Sequence, residues 1–243
     1  MDEKTPRMTR RELLRLGATA SPVLLCRPFF ALAADPVADV DHIIWAVPDL
    51  EAGIQYIQQK TGVGAIMGGV HPERGTRNAL ISLGKRHYLE ILSVDPAQPG
   101  AKEEMAEIVK GLAEPRILGW AARTESLAEV EERIRGAGLE SSGVVAGSRK
   151  KPDGTTLRWR TLVVRGHDGT VVPFLIQWDR ASPHPSQDSP RGCTLRELRL
   201  EHPDPDKMNR FLEAMGLSPR VMKGNRPKIT AILDTPKGRV ELT

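Results

Sequence analysis

An acidic residue lies within an otherwise apolar segment of the chain: Glu90, in residues 88–92 (YLEIL). The segment has the composition of a β-strand, so Glu90 faces either solvent or the protein interior. A buried carboxylate is costly unless it is paired or coordinates a ligand. His42 lies in a second apolar segment, residues 40–47 (VDHIIWAV). We predict that Glu90 and His42 contact a ligand; the alternatives are an outward-facing carboxylate and a structural histidine.

Three further polar residues lie on either side of Gly75: His71, Arg74 and Asn78. Histidine, arginine and asparagine side chains can all form hydrogen bonds with a ligand. These residues are therefore predicted to contact a substrate. The alternative is that they only shape the turn at Gly75, since glycine and asparagine are common in turns.

Two arginines, Arg158 and Arg160, flank Trp159. Side chains alternate across a strand, so both arginines share one face and Trp159 takes the other. If the arginine face lines a binding site, two guanidinium groups would suit a carboxylate or phosphate on the substrate. If that face lies in water, the arginines only solvate the sheet.

Composition and motifs narrow the class of protein. The 243 residues are 40% apolar and 27% charged, which is typical of a folded domain. The net charge is +4, but residues 1–33 hold six basic and three acidic residues, so the remainder is nearly neutral and nucleic-acid binding is not expected. No run of eighteen apolar residues predicts a membrane span. The sequence also lacks the motifs of serine hydrolases, phosphate loops, CxxC redox sites and dinucleotide-binding sites.

Hydrophobic periodicity predicts a unit of one strand, one helix and three strands (βαβββ) that occurs three times. Each unit opens with an apolar segment, followed by a helix-capping residue: Asp49, Ser126 or Asp204. A glycine suited to ending the helix follows 13, 12 and 12 residues later. Such internal repetition predicts an α+β fold.

Two segments lie outside the repeat. An amphipathic helix near residues 105–112 is predicted to bridge the first two units. A Pro/Ser-rich stretch that includes His184 is predicted to be a linker before the third unit. The predicted boundaries are 40–95 and 116–180 for the first two units, 181–192 for the linker and 193–243 for the third unit.

Five segments carry a resemblance to a known family. They are DHIIWAVPDL at 41–50, HPERGTRNAL at 71–80 and YLEI at 88–91 in the first unit, and PDGTTLRWR at 152–160 and PFLI at 173–176 in the second. These segments resemble the glyoxalase-like family of the vicinal oxygen chelate superfamily, over most of residues 40–180. The resemblance implies that the first two units curl into a half-open β-barrel, or cup, with the third as a compact addition.

The resemblance also implies a metal centre. In that superfamily the ligands come from the first and last strand of each unit, which places His42 and Glu90 at two ligand positions. Imidazole and carboxylate suit Zn, Mn, Fe, Ni or Co, and the metal would polarise oxygen atoms of the substrate. The second unit departs from this pattern, because Gly119 stands where a histidine is expected. On its last strand the nearest polar residue is Gln177, a weak ligand.

The third unit offers an alternative ligand set. Aligning it with the first unit puts Glu197 opposite His42 and Glu241 opposite Glu90. These four residues would bind a divalent metal if the first and third units paired. Consecutive units usually neighbour each other, so we expect the first and second to pair. The third then packs on the outside of the barrel or joins a second chain, and a homodimer would cover an exposed edge strand.

The first 33 residues are predicted to be an export signal. Arg10 and Arg11 precede a modestly apolar stretch that ends in Ala31-Leu32-Ala33, an order typical of a secretory signal. The arginine pair resembles a bacterial twin-arginine signal, which implies a periplasmic or secreted protein. The alternatives are a basic amphipathic helix and a cytoplasmic location. Cleavage after Ala33 would leave Cys193 without a partner for an internal disulfide.

The predicted activity is that of a small-molecule enzyme. It would carry out lyase, isomerase or dioxygenase chemistry on an oxygen-rich substrate, assisted by one divalent metal and no other cofactor. Glu90 would act as the catalytic group, and Asn78, Arg158 and Arg160 would orient the substrate. The alternative is a non-catalytic protein of the same fold that sequesters a small ligand in the cup.

Overall fold

The computed structural model describes Met1 and residues 37–72, 74–100, 103–167 and 171–243. The predicted export signal and its cleavage site therefore lie outside the described residues, Met1 excepted. Among the described residues, no helix is both long and apolar enough to cross a membrane.

The first repeat forms half of a β-barrel. Its elements are β1 (Val40–Ala46), α1 (Leu50–Thr61), β2 (Ile66–His71), β3 (Thr76–Ser82) and β4 (Tyr88–Val94). The strands lie in the order β1-β4-β3-β2, with β1 parallel to β4. The first strand of the unit therefore lies beside the last, which brings His42 and Glu90 onto neighbouring strands.

The second repeat forms the other half. After the bridging helix α2 (Glu104–Lys110) come β5 (Arg116–Arg123), α3 (Leu127–Gly136), β6 (Val145–Lys150), β7 (Thr156–Leu162) and β8 (Phe174–Trp178). The complete strand order β1-β4-β3-β2-β6-β7-β8-β5 is a closed barrel. The halves meet along β1 and β5, from Val40 opposite Ala122 to Ala46 opposite Arg116. At the other junction β2 and β6 pair only at Val70 and Lys150, so the cup is closed, but by a short seam.

Local capping explains why the three helices recur. The Asp49 carboxylate accepts a hydrogen bond from the Ala52 N–H at 2.7 Å, and Asp204 and Ser126 cap α5 (Pro205–Met215) and α3 in the same way. The helices α1 and α5 end at glycines with φ values of 80° and 76°. This left-handed conformation suits a residue without a Cβ. The three predicted capping residues and the glycines that end α1 and α5 are confirmed, whereas α3 has Ala137 at its C-cap and Gly138, with a φ of 72°, one residue later.

Alternation of side chains across the strands separates a core from a cavity. Ile43 and Trp45 of β1 face outward and join Ile57 of α1 in the main hydrophobic core. The alternate residues His42 and Ile44 face into the barrel. Where β1 finishes, Val109 of α2 packs in a smaller apolar cluster that closes that end of the barrel.

The third repeat packs on the outside of the barrel, one of the two predicted arrangements. Its elements are β9 (Thr194–His202), α5, β10 (Val221–Lys223), β11 (Lys228–Thr235) and β12 (Gly238–Leu242), in the strand order β10-β9-β11-β12. The Ile117 N–H donates to the Thr243 carbonyl at 3.0 Å, and the apolar core is continuous with that of the barrel. Unlike the first two units, its first strand does not adjoin its last.

The segment predicted to be a linker is part of the fold. Residues 181–192 contain a short helix, α4 (Pro185–Asp188), and bury His184 at 6% exposure. The N–H of Ser82 donates to the Pro190 carbonyl at 2.9 Å, which ties the segment to β3. The Pro/Ser-rich composition therefore reflects tight turns rather than a flexible connection.

Candidate functional site

The barrel encloses a cavity of about 280 Å³, near the lower end of the range for ligand-binding pockets. One wall is polar and belongs mostly to the first repeat, with Arg149 of the second repeat and Glu103, which precedes α2, also among the polar lining residues. The opposite wall belongs to the second repeat and is mostly apolar. The polar residues include His42, His71, Arg74, Asn78, Glu90 and Arg149, and the apolar ones include Trp159, Phe174, Ile176 and Trp178.

Glu90 lies at the centre of the polar wall and is 6% exposed. The Asn78 amide Nδ2 donates to its Oε1 at 2.5 Å. Its Oε2 lies 3.6 Å from His42 Nε2, and its Oε1 lies 3.6 Å from His71 Nε2. The carboxylate is therefore held between two imidazoles.

Opposing effects set the ionisation of Glu90. Burial by itself raises the pKa of the carboxyl group. Positive charge on the imidazoles of His71 and His42 lowers it, and the Asn78 hydrogen bond and the Arg149 charge act in the same direction. The net result is a pKa below the ordinary value of glutamate, so Glu90 is ionised at neutral pH.

A second buried carboxylate, Asp41, stands behind His42. Its Oδ1 lies 2.8 Å from His42 Nδ1, and its Oδ2 lies 3.1 Å from both His184 Nε2 and Trp178 Nε1. Burial alone would raise the pKa of Asp41, but the hydrogen bonds from His184 and His42 lower it well below the ordinary value. An ionised carboxylate can only accept hydrogen bonds.

This arrangement fixes how the imidazole of His42 is oriented. Because Asp41 accepts, His42 Nδ1 carries a hydrogen, and the Nε2 edge of the ring faces Glu90. The phenol ring of Tyr88 stacks on His42, with centroids 4.5 Å apart. His42 is thus held by a hydrogen bond on one edge and a ring on one face.

His71 completes the polar cluster. Its Nδ1 lies 2.9 Å from the Thr76 hydroxyl, which holds the ring in place. Burial lowers the pKa of His71, the Glu90 charge raises it, and the charges of Arg149 and Arg74 lower it again. The net pKa of His71 lies below the ordinary value of histidine.

The structure brings four of the residues predicted from the sequence into direct proximity: His42, His71, Asn78 and Glu90. Arg74 lines the same cavity but is exposed, which places it at the mouth. The two strands that carry His42 and Glu90 are hydrogen-bonded neighbours, so their convergence follows from the order of strands in the first repeat.

Three residues predicted to line the site are on barrel strands, but their side chains point away from the cavity, so these predictions are corrected. Trp159 takes the inward side of β7, so Arg158 and Arg160 face solvent and do not reach the cavity. The Gln177 amide Nε2 donates to the Glu125 carbonyl at 2.6 Å, and its Oε1 accepts from the N–H at the start of α3. Gln177 therefore supports a helix end and does not join Glu90.

The alternative set from the third repeat is not assembled either. The carboxylates of Glu197 and Glu241 lie 2.8 and 3.8 Å from the Arg199 guanidinium, at half-exposed positions on the third sheet. Since β9 and β12 are separated by β11, the alignment with the first repeat breaks down. Neither glutamate lines the barrel cavity.

The residues of the cavity do not fit a resident metal as they stand. In the described part of the chain, no group of three or more His, Cys, Asp and Glu side chains is arranged to hold a metal ion. The second repeat supplies no ligand at the two expected positions. Gly119 has no side chain, and the space that one would occupy is empty. The Gln177 amide is hydrogen-bonded to the Glu125 carbonyl. The Glu90 carboxylate is already compensated by Asn78 and Arg149.

Sequence reasoning missed several residues of the site: Asp41, Tyr88, Arg149, Trp178 and His184. Asp41 carries the same signal as Glu90, a charged residue in an apolar strand, and could have been found in that way. Arg149 and His184 come from a polar strand and a turn-rich segment. Nothing local in those segments indicates that a side chain is buried.

A closed barrel of two βαβββ units with a polar cavity inside defines the vicinal oxygen chelate fold. Within it, the chain belongs to the glyoxalase-like domain family, whose model matches residues 40–216. No functionally curated protein matches the chain significantly.

Solved structures share the fold at low identity. A hypothetical protein from Staphylococcus aureus is 17% identical, with a TM-score of 0.59 over 83% of this chain and 84% of that one. Methylmalonyl-CoA epimerase from Mycobacterium tuberculosis is 19% identical, with a TM-score of 0.42 over 63% of this chain and 94% of that one. A hypothetical protein from Bacillus halodurans C-125 is 15% identical, with a TM-score of 0.42 over 59% and 95%. These likenesses concern the fold alone.

Proposed function

We propose that the protein is a small-molecule enzyme of the lyase or isomerase type that transfers a proton at Glu90. The observation that carries the proposal is the buried, ionised carboxylate of Glu90 between the imidazoles of His42 and His71, on the wall of a cavity. A structural carboxylate has little reason to occupy such a position, because its burial must be compensated by four neighbouring groups. Buried ionisable groups with shifted pKa values are frequent at active sites.

Glu90 can accept a proton because it is ionised at neutral pH. Its lowered pKa also makes it a weak base, so the donor must be an acidic C–H or O–H group, such as a C–H next to a carbonyl. The proton on Oε2 would then lie 3.6 Å from His42 Nε2. Asp41 would stabilise the positive charge that develops on His42 when the proton is shared.

The alternative is a protein that binds a small ligand without catalysis. It is favoured by the wall from the second repeat, which in the described residues supplies no carboxylate or imidazole to the cavity. Both functions need the same cavity, so binding alone does not separate them. Proton exchange on a bound ligand does.

The decisive experiment first identifies compounds that bind and then measures proton exchange on the bound compounds. A panel of 2-oxo acids, 2-hydroxy acids and their neutral amides is screened for binding by saturation-transfer NMR. Each compound that binds is then incubated in D2O, and loss of the signal of its α C–H, here the C–H next to a carbonyl group (C3–H of a 2-oxo acid, C2–H of a 2-hydroxy acid), is followed with wild type and with Glu90→Gln. We expect exchange by the wild type that slows by at least about a hundredfold in the variant. Binding without exchange at every bound α C–H would support the alternative.

The metal-assisted form of the activity stays a prediction. Since no step above passes through a metal, it is tested separately, by the metal content of protein purified without chelator. Wild type is compared with His42→Ala and Glu90→Gln. One equivalent of Zn, Mn, Fe, Ni or Co that both substitutions remove would establish a metal centre and replace the proton-transfer scheme. A low content that neither substitution changes would leave the scheme in place.

Two other expectations also remain proposals. Export through the twin-arginine route rests on Arg10 and Arg11, which lie outside the described residues. A homodimer rests on the need to cover an edge strand. Sedimentation velocity of the purified chain tests the second.

A further inference from the structure

The strand β6 buries a single side chain, and that side chain is an arginine. Arg149 is 3% exposed, whereas its neighbours in β6 are exposed or half-exposed. Burial of a guanidinium is costly unless its charge and its five N–H donors are satisfied. The position of Arg149 therefore requires a reason beyond the packing of the strand.

The backbone opposite Arg149 is built to admit it. A Cβ at Gly68 would lie 2.2 Å from Arg149 Nη1 and 2.3 Å from Asn78 Oδ1, so no other residue fits there without displacing both groups. Gly69 has a φ of 137° and runs along the aliphatic part of the same side chain. The Gly68-Gly69 pair of β2 thus leaves a passage through which the guanidinium reaches the cavity.

The protein supplies few partners for this cation. Nη1 donates to Asn78 Oδ1 at 2.7 Å. Among the described residues, no carboxylate forms an ion pair with Arg149, and the Asn78 amide separates it from Glu90 by donating to that carboxylate with its other end. Arg74 lines the same cavity at its mouth. The charges of both guanidinium groups lower the pKa of His71.

The remainder of the cavity is suited to a hydrocarbon group. Phe174, Ile176 and the indole rings of Trp159 and Trp178 line the wall of the second repeat. The two indole centroids lie 5.4 Å apart. The indole N–H of Trp178 donates to Asp41, so Trp178 presents only ring carbons to a ligand.

We propose that Arg149 anchors an anionic oxygen group of the substrate, and that the substrate is a small carboxylic acid with an aromatic or branched apolar body. The proposal deepens the proposed function and rests on it only in taking the barrel cavity as the ligand site. The anion would lie between Arg149 and the mouth, and the apolar body would lie on the wall of the second repeat. Bidentate pairing of a guanidinium with a carboxylate gives such an anchor both strength and direction.

The test uses three matched probes and the full chain at pH 7. These are 3-phenylpropanoate, its neutral isostere 3-phenylpropanamide, and acetate, which keeps the charge and lacks the body. Dissociation constants are measured by NMR titration. We expect the acid to bind at least about tenfold more tightly than the amide, which lacks the charge that pairs with Arg149, and than acetate, which lacks the apolar body.

Substitutions then locate the preference. Arg149→Gln should abolish the difference between acid and amide. Gly68→Ala should do the same with the charge retained, because the new Cβ displaces the guanidinium. Arg158→Gln, which changes an exposed arginine on the neighbouring strand, should leave the difference intact.

Two results would overturn the proposal. The first is a wild type that fails to prefer the acid over the amide, including one that binds neither. The second is an Arg149→Gln variant that folds and keeps the preference. Glu90→Gln separates this proposal from the proposed function, because it should stop proton exchange yet leave the preference for the anion unchanged or stronger.

Discussion

The substitution Asp41→Asn tests whether one buried charge organises the site. Asparagine has nearly the shape of aspartate, but offers one acceptor oxygen and an NH2 group in place of two acceptor oxygens. The N–H groups of His42, His184 and Trp178 all point at this side chain. At least one of them would therefore lose its acceptor.

The expected loss of stability follows from these contacts. A buried donor without a partner costs about 1–3 kcal/mol, and each remaining hydrogen bond loses about 1 kcal/mol when its acceptor becomes neutral. Removal of a buried charge offsets part of this loss. We expect a decrease of about 3 kcal/mol in the free energy of unfolding, which corresponds to about 6–12 °C in Tm for a protein of this size.

The assay combines urea unfolding at pH 7 with 15N NMR of the imidazoles. In wild type the spectra should show His42 with its hydrogen on Nδ1, and in Asp41→Asn that population should fall. Asp206→Asn, an exposed position on the first turn of α5, serves as the control and should change neither measurement. Unchanged stability together with an unchanged tautomer of His42 would show that Asp41 does not hold the ring as argued.

Three further predictions concern stability at low pH, the packing of His184 and the export signal. The folded-state pKa values of Asp41 and Glu90 are lowered, so their contribution to stability is complete above their unfolded values, about pH 4, and is lost as pH falls below them. Urea unfolding across pH 2–7 should therefore show a steep acid limb, which Asp41→Asn makes shallower. His184→Ala should cost about 2–3 kcal/mol because it leaves a cavity beside Asp41, and a value near zero would mean that residues 181–192 act as the linker first predicted. Arg10→Lys with Arg11→Lys should retain the protein in the cytoplasm on cell fractionation, and unchanged fractionation would exclude the twin-arginine route.

The repeat could be predicted because its signals are local. Capping residues and helix-ending glycines act within one turn of the chain, and apolar strands of the barrel read as continuous hydrophobic segments. Asp49, Ser126 and Asp204 all cap helices in the structure as expected. These signals need no knowledge of distant residues.

Two strands of the barrel gave no such signal. The strand β2 (IMGGVH) contains two glycines, and β6 (VAGSRK) is largely polar, so neither resembles a buried strand. The glycines of β2 and the polar residues of β6 have the same structural reason. The two strands meet at the seam, where the Arg149 side chain lies against Gly68. The property that concealed them from sequence reasoning is the one that forms the site.

Some residues of the site could be predicted from the cost of burying a charge, and others could not be predicted from the sequence. Glu90 stood out because its neighbours in the chain are apolar. The inward or outward phase of β7 could not be decided from alternation alone, since Trp159 and its flanking arginines are consistent with either phase. His184 lies 143 residues from Asp41, and only the tertiary fold brings them together.

The two junctions between the barrel halves differ greatly in strength. One is a long ladder between β1 and β5, and the other is a single backbone pair at Val70 and Lys150. Segments with few backbone hydrogen bonds open at the lowest free energy. The barrel is therefore expected to open transiently between β2 and β6, while the ladder between β1 and β5 stays paired. Asn78 and Arg149 lie on opposite sides of the junction between β2 and β6, so their hydrogen bond joins the two barrel halves there. A ligand that pairs with Arg149 inside the cavity is therefore expected to raise the free energy of opening at this seam.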